Sequence, residues 1–227
     1  MQFQQTDADR HLNSETRISS FLEEASFSSL TELKAVMRDS FLGTGSLSAL
    51  TTQETVQILR LRIEPQSGGE FTIVFQDEGK TGIQIRLWGL PTNRADYANQ
   101  LWAFHLKSAA CPEGPVSESV QFSGYLAHEL RKKLKEMALL GLRKPVPTQF
   151  DTHIKKNFFA TLEMKTPHRE NSISFSSHEA HLDPICDHMD VVEWIVGSTQ
   201  KILATSVAKE RLESFHHGYL MSSAPAA

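Results

Sequence analysis

Two cysteines, Cys111 and Cys186, are all that this 227-residue chain carries. They permit one bridge at most, which excludes a disulfide-stapled scaffold. Long apolar runs are missing as well. The longest, Met137–Leu142, is broken by Gly141 and is far too short to cross a bilayer. The first residues, MQFQQTDADRHLNSE, have no basic start followed by an apolar stretch, so no secretory leader is expected and the cytoplasm is the expected compartment. Positive charge is not in excess, since the formal net charge is −4, and this argues against wholesale binding to nucleic acid or an anionic membrane. GxGxxG, GxxxxGK(S/T), GxSxG and CxxC are all absent, which leaves nucleotide loops and hydrolase elbows without support. No serine has an identifiable base and orienter.

What is present reads as an ordinary folding sequence. With 40% hydrophobic and 22% charged residues, the chain falls in the globular range, and its length suits one domain with embellishments. The domain is expected over residues 15–217, between a mobile N-terminal segment, 1–14, and a mobile tail, 218–227. Apolar residues at helical spacing between Ser14 and Leu42 predict one or two amphipathic helices, with Ser14 and Ser29 as caps. Then TVQILRLRI, FTIVFQDE and GIQIRLWGL, separated by turn clusters, predict a three-stranded antiparallel meander. In it Phe71, Ile73 and Phe75 share a face with Ile83, Ile85 and Leu87, while Arg60, Arg62, Gln84 and Arg86 point the other way. One face is thus expected to be buried, the other wet or covered by a partner.

Two helices are predicted next, Thr92–Lys107 and Ser117–Leu140, the second on its stripe of Phe122, Leu126, Leu130, Leu134 and Met137. A hairpin follows in the alternation of Phe158, Ala160, Leu162 and Met164 and in the run SISFS. One long helix, from Asp183 to about His217 with Gly197 as its weak point, closes the chain. The expected fold is therefore α+β: an antiparallel sheet, made of a three-stranded meander plus a hairpin, with helices packed on it in the order α-βββ-αα-ββ-α. That element order resembles the type III secretion chaperones, which place one helix, three strands, a helix, two strands and a helix around a dimer. The resemblance lies in the order alone, and it implies an adaptor that binds proteins.

Three features carry candidate chemistry. The stretch SHEAHLDPICDHMD, Ser177–Asp190, supplies imidazoles and carboxylates suited to a divalent transition metal: His178, His181, Asp183 and His188. It resembles the HxHxDH motif of metallo-β-lactamases loosely, with one extra residue between the first two histidines. The competing reading is a helix start, with Asp183 as N-cap, Pro184 at the first helical position, and Asp187 and Asp190 near the positive end of the helix dipole. Cys186 reads as a small core residue. Second, RLESFH, from Arg211 to His216, resembles the Arg-x4-His motif of HEPN-type ribonucleases, in which the pair acts at an RNA phosphate. Third, Arg131–Lys156 holds eight basic residues against Glu136 and Asp151, a local balance of +6 in a chain of net −4. Arg131, Lys132, Lys135, Arg143 and Lys144 from this block are the expected contacts to an acidic protein partner. A nucleic acid is the less favoured occupant, and a solvated helix face is the bland alternative. The expected function is a non-catalytic protein-binding module, an adaptor, chaperone-like protein or assembly subunit, with a homodimer as one arrangement and no cofactor. A metal-dependent hydrolase or nuclease is the rival.

Overall fold

Alternating apolar residues build the centre of the molecule. The computed structural model describes residues 16–23, 27–43, 45–140, 157–181, 187–203 and 205–220. Strands β1 (Gln57–Pro65), β2 (Phe71–Asp77) and β3 (Ile83–Gly89) form the expected meander. Strands β5 (Phe158–Thr166) and β6 (Arg169–Ser176) form the expected hairpin, which docks antiparallel along the free edge of β1. Meander and hairpin are therefore one sheet, in the order β4-β3-β2-β1-β5-β6.

The sixth strand corrects the sequence reading. Val116–Phe122, of which Ser117 onward is expected to open a helix, is instead β4, paired with β3 at the sheet edge. Val116, Val120 and Phe122 are half-buried against the core and alternate with exposed or weakly covered polar residues, a period of two. The helical stripe begins only after Gly124, whose φ of +72° suits a residue without Cβ. Beyond it lies α4 (Gly124–Leu140).

One face of the sheet carries the main core. Leu87, Ile73, Leu61, Leu162 and Ile173 lie opposite one another in a row across five strands. Helix α4 packs Leu130 and Leu134 on this face, α6 (His188–Ile202) adds Val192, Ile195 and Val196, and α7 (Ser206–Phe215) adds Leu212 and Phe215. Each fully buried aliphatic side chain here contributes about 1.5–3 kcal/mol of transfer free energy. The last helix is thus two helices, broken at Leu203–Thr205 and not at Gly197, which sits within α6 with open space around it. Thr205 at the break donates its backbone N–H to Glu118 of β4 at 3.3 Å. Beyond α7 a π-helical turn, His216–Leu220, buries Tyr219.

The opposite face is covered unevenly. Helix α1 (16–23), α2 (Leu30–Leu42) and α3 (Arg94–His105) make a satellite cluster around Leu33, Met37, Tyr97 and Leu101. Ser29 caps α2 by accepting from Glu32 N–H at 3.3 Å, and Asn93 caps α3 by accepting from Asp96 N–H at 3.0 Å. Glu32 reaches back to accept from Ser28 N–H at 2.9 Å, closing the helix start from both sides. A 3₁₀ turn, Leu47–Leu50, seals Ile58 and Val74. Beneath this cover Arg60 is 3% exposed, held by Glu163 at 2.7 and 3.0 Å and by the carbonyls of Gly43 and Gly45. Over β5 and β6 the same face is open, and Phe159 is 62% exposed. Residues 1–14 and the tail beyond Leu220 lie outside the described residues.

Candidate functional site

The basic block divides by role. Arg131 on α4 is engaged inside the fold. Its Nε donates to both oxygens of Asp77, at 3.0 and 2.9 Å, and its Nη2 to the Gly79 carbonyl at 2.6 Å. Asp77, 2% exposed, also accepts from Gly79 N–H, so the helix is locked to the β2–β3 turn. The hydrogen bond to Asp77 raises the Arg131 pKa above its ordinary value against the opposing effect of burial. Lys132 and Lys135 are exposed, and Lys133 pairs with Glu136 at 3.2 Å. Arg143 and Lys144 lie outside the described residues.

Between α4 and α6 runs a groove of about 310 Å³. Leu126, Leu130 and Trp194 form its floor, with Glu129, Lys132, Lys133 and Glu136 along its sides. Trp194 is fixed by stacking on Phe75, with ring centres 5.6 Å apart. At the head of α4 Tyr125 is 80% exposed and Leu126 44%.

The histidine-rich stretch has a local explanation different from the expected one. Ser176 ends β6 and caps a short helix, α5 (Ser177–His181), by accepting from Glu179 N–H at 3.1 Å. Glu179 in turn accepts from Ser176 N–H at 2.9 Å and from its hydroxyl at 3.1 Å. This is a reciprocal S-x-x-E capping box, a signal the sequence printed openly beneath the denser histidines. His178 and His181 are therefore both on a short helix. His178 sits over Asn157 through its backbone N–H at 3.4 Å, while His188 is 6% exposed and packs its ring 4.9 Å from Phe175. Helix α6 starts at His188 with Asp187 at the cap position, four residues later than expected, and the Asp187 side chain makes no cap hydrogen bond. Asp183, Pro184, Cys186 and the His181 side chain lie outside the described residues. Among the described residues no three His, Cys, Asp or Glu side chains converge on a point where an ion could sit.

Arg211 and His216 part company. His216 faces α6, with Nε2 4.0 Å from Glu193. Arg211 points the other way, crossing beside Gly89 to donate from Nη2 to Glu113 at 3.1 Å. It also lines a second cavity, of about 190 Å³, between the β1–β2 turn, the exit of β3 and the end of the chain. Gly69 makes the turn possible, since a Cβ there would lie 1.8 Å from the Leu90 carbonyl oxygen. Tyr219 clasps the far side: its hydroxyl accepts from Ser67 N–H at 2.9 Å and donates to the Ser67 carbonyl at 2.8 Å. No spacing rule could have found this cavity, because its walls are some 150 residues apart in sequence.

No family model, no curated protein and no solved structure matches this chain. None of the helices among the described residues is long and apolar enough to cross a membrane.

Proposed function

We propose that this protein is a non-catalytic binding module, an adaptor, chaperone-like protein or assembly subunit, that receives an amphipathic segment of a partner protein in the groove between α4 and α6. The observation that carries the reading is the 44% exposure of Leu126 on a groove also lined by Leu130 and Trp194, with Tyr125, 80% exposed, preceding it at the head of α4. A partner side chain entering there would meet an apolar floor and a rigid tryptophan, the arrangement in which a few anchors supply most of the binding free energy. Lys132 and Lys135 beside it favour an acidic flank on the partner, acting on encounter rate and register more than on affinity.

The test is recovery of partners from the native host with the wild-type chain and with Leu126→Glu/Lys132→Glu, followed by mass spectrometry. A protein retained by the first and lost from the second, with the circular dichroism spectrum unchanged, supports the reading. Retention by both variants alike overturns it. If the partner is a second copy, sedimentation of the wild type shifts with concentration and that of the variant does not. A stoichiometric transition metal lost on His178→Ala would favour the hydrolase instead.

A further inference from the structure

The cavity at the end of α7 lies apart from the α4 groove and has a chemistry of its own. Arg211 lines it, and its Nη1 is buried and has no hydrogen-bond partner among the described residues. Buried polar groups go unpaired in under about a tenth of cases, so this one calls for a cause. A guanidinium only donates, and what the surroundings of Nη1 lack is an acceptor.

Charge points the same way. The ion-pair partner of Arg211, Glu113, is 69% exposed, so water shares that carboxylate. Burial accordingly holds the Arg211 pKa below its ordinary value, outweighing the attraction of Glu113. The other charged group on the cavity wall, Glu70, is already engaged by Arg94, through its backbone N–H at 3.2 Å and its Nη1 at 3.7 Å. The wall thus offers a cation short of acceptors and an acid already paired. Phe71, Phe215 and Leu90 make the lining apolar, with the Ser214 hydroxyl at its rim.

We infer that this cavity binds a small molecule bearing an oxyanion, a carboxylate or a phosphate ester, on an apolar part about the size of one aromatic ring, with Arg211 as its charge partner. An oxyanion accepts without donating and carries the charge that a guanidinium lacks, and Arg is the residue suited to receive it on two parallel N–H groups. The 190 Å³ of the cavity exceeds the roughly 30 Å³ share of a single water several times over, which leaves room for the ring. The turn clasped by Tyr219 and the π-helical turn that carries Tyr219 hold the walls in place, and such turns recur at functional sites.

The experiment is titration of the ¹⁵N-labelled full chain with benzoate, phenyl phosphate and, as a neutral control, benzyl alcohol, following the Gly68 and Gly69 amides. Expected is saturable movement of both amides with at least one acid, at a Kd of about 1 mM for a ligand this small, and at least tenfold weaker binding of the alcohol. Tighter benzoate assigns a carboxylic acid, tighter phenyl phosphate a phosphate ester. Arg211→Gln should weaken the acid about tenfold or more. Ser214→Phe, at an exposed position on the cavity wall, should block it without touching the arginine, so the test survives if Arg211→Gln fails to fold. No saturable shift with either acid, equal binding of the alcohol, or acid binding that survives the Ser214→Phe block would overturn the assignment.

Discussion

The two faces of the sheet are closed by different means. On the core face, Leu87, Ile73, Leu61, Leu162 and Ile173 meet α4, α6 and α7 with apolar side chains. On the opposite face, β1 to β3 are covered by the 3₁₀ turn and the satellite helices, and the cover holds a buried arginine paired to Glu163. The first arrangement is non-directional and tolerates approximate fit; the second works only with both partners in register. Burial on the core face therefore supplies free energy, while the Arg60–Glu163 pair ties the segment around Gly43 and Gly45 to one position on the sheet.

Substitutions separate the two. Phe75→Ala, at a fully buried ring that also supports Trp194, should lower unfolding free energy by about 4 kcal/mol in urea titration. Glu163→Ala leaves Arg60 buried without its carboxylate and should lower it by about 3 kcal/mol, whereas Arg60→Met/Glu163→Leu should lose clearly less than the single change. If the double variant is as unstable as the single one, the pair is doing more than offsetting its own desolvation. On the satellite, Ser29→Ala removes the α2 cap and should lower stability by about 1 kcal/mol. There the hydrogen bonds from Ser28 hold the Glu32 carboxyl below its ordinary value. Its contribution is present above the unfolded carboxyl pKa and lost as pH falls through the lower folded value, so Ser28→Ala should flatten the acid limb of the stability curve. The smallest effect belongs to the open part of the outer face: Phe159→Ser should change stability by no more than about 0.5 kcal/mol. A large loss there would mean that the face is covered in solution.

Much of this architecture was written in periodicity. The alternation in β1, β2, β3 and β5 was clear because one face of each is fully buried, and the assignment of Arg60 to the other face was right. Its cover is the chain itself around Gly43 and Gly45 rather than solvent. Edge strands carry a weaker signal. In β4 only Val116, Val120 and Phe122 are apolar, and Phe122 also falls four residues before Leu126, so the helical stripe could be extended backwards over it. The break at Leu203–Thr205 contains neither Gly nor Pro, whereas Gly197, a residue of weak helix propensity, lies within α6. Pairings such as Arg131 with Asp77 and Arg211 with Glu113 join residues far apart in sequence, which no local pattern encodes. The capping box at Ser176 is legible in the sequence as S-x-x-E, within a stretch whose histidines also fit metal chemistry.

The seat of β1 between β2 and β5 has a consequence for how the chain is made. β2 follows β1 immediately, but β5 does not begin until Phe158, and at ribosomal rates the stretch from Pro65 to Phe158 takes roughly 5–20 s to appear. Throughout that interval the middle strand of the finished sheet is an edge with unpaired backbone groups, open to whatever nascent or neighbouring strand reaches it first. Arg60 and Arg62, which end up sharing Glu163, are on that edge while it waits, and their like charges make it a poor surface for another strand to adopt.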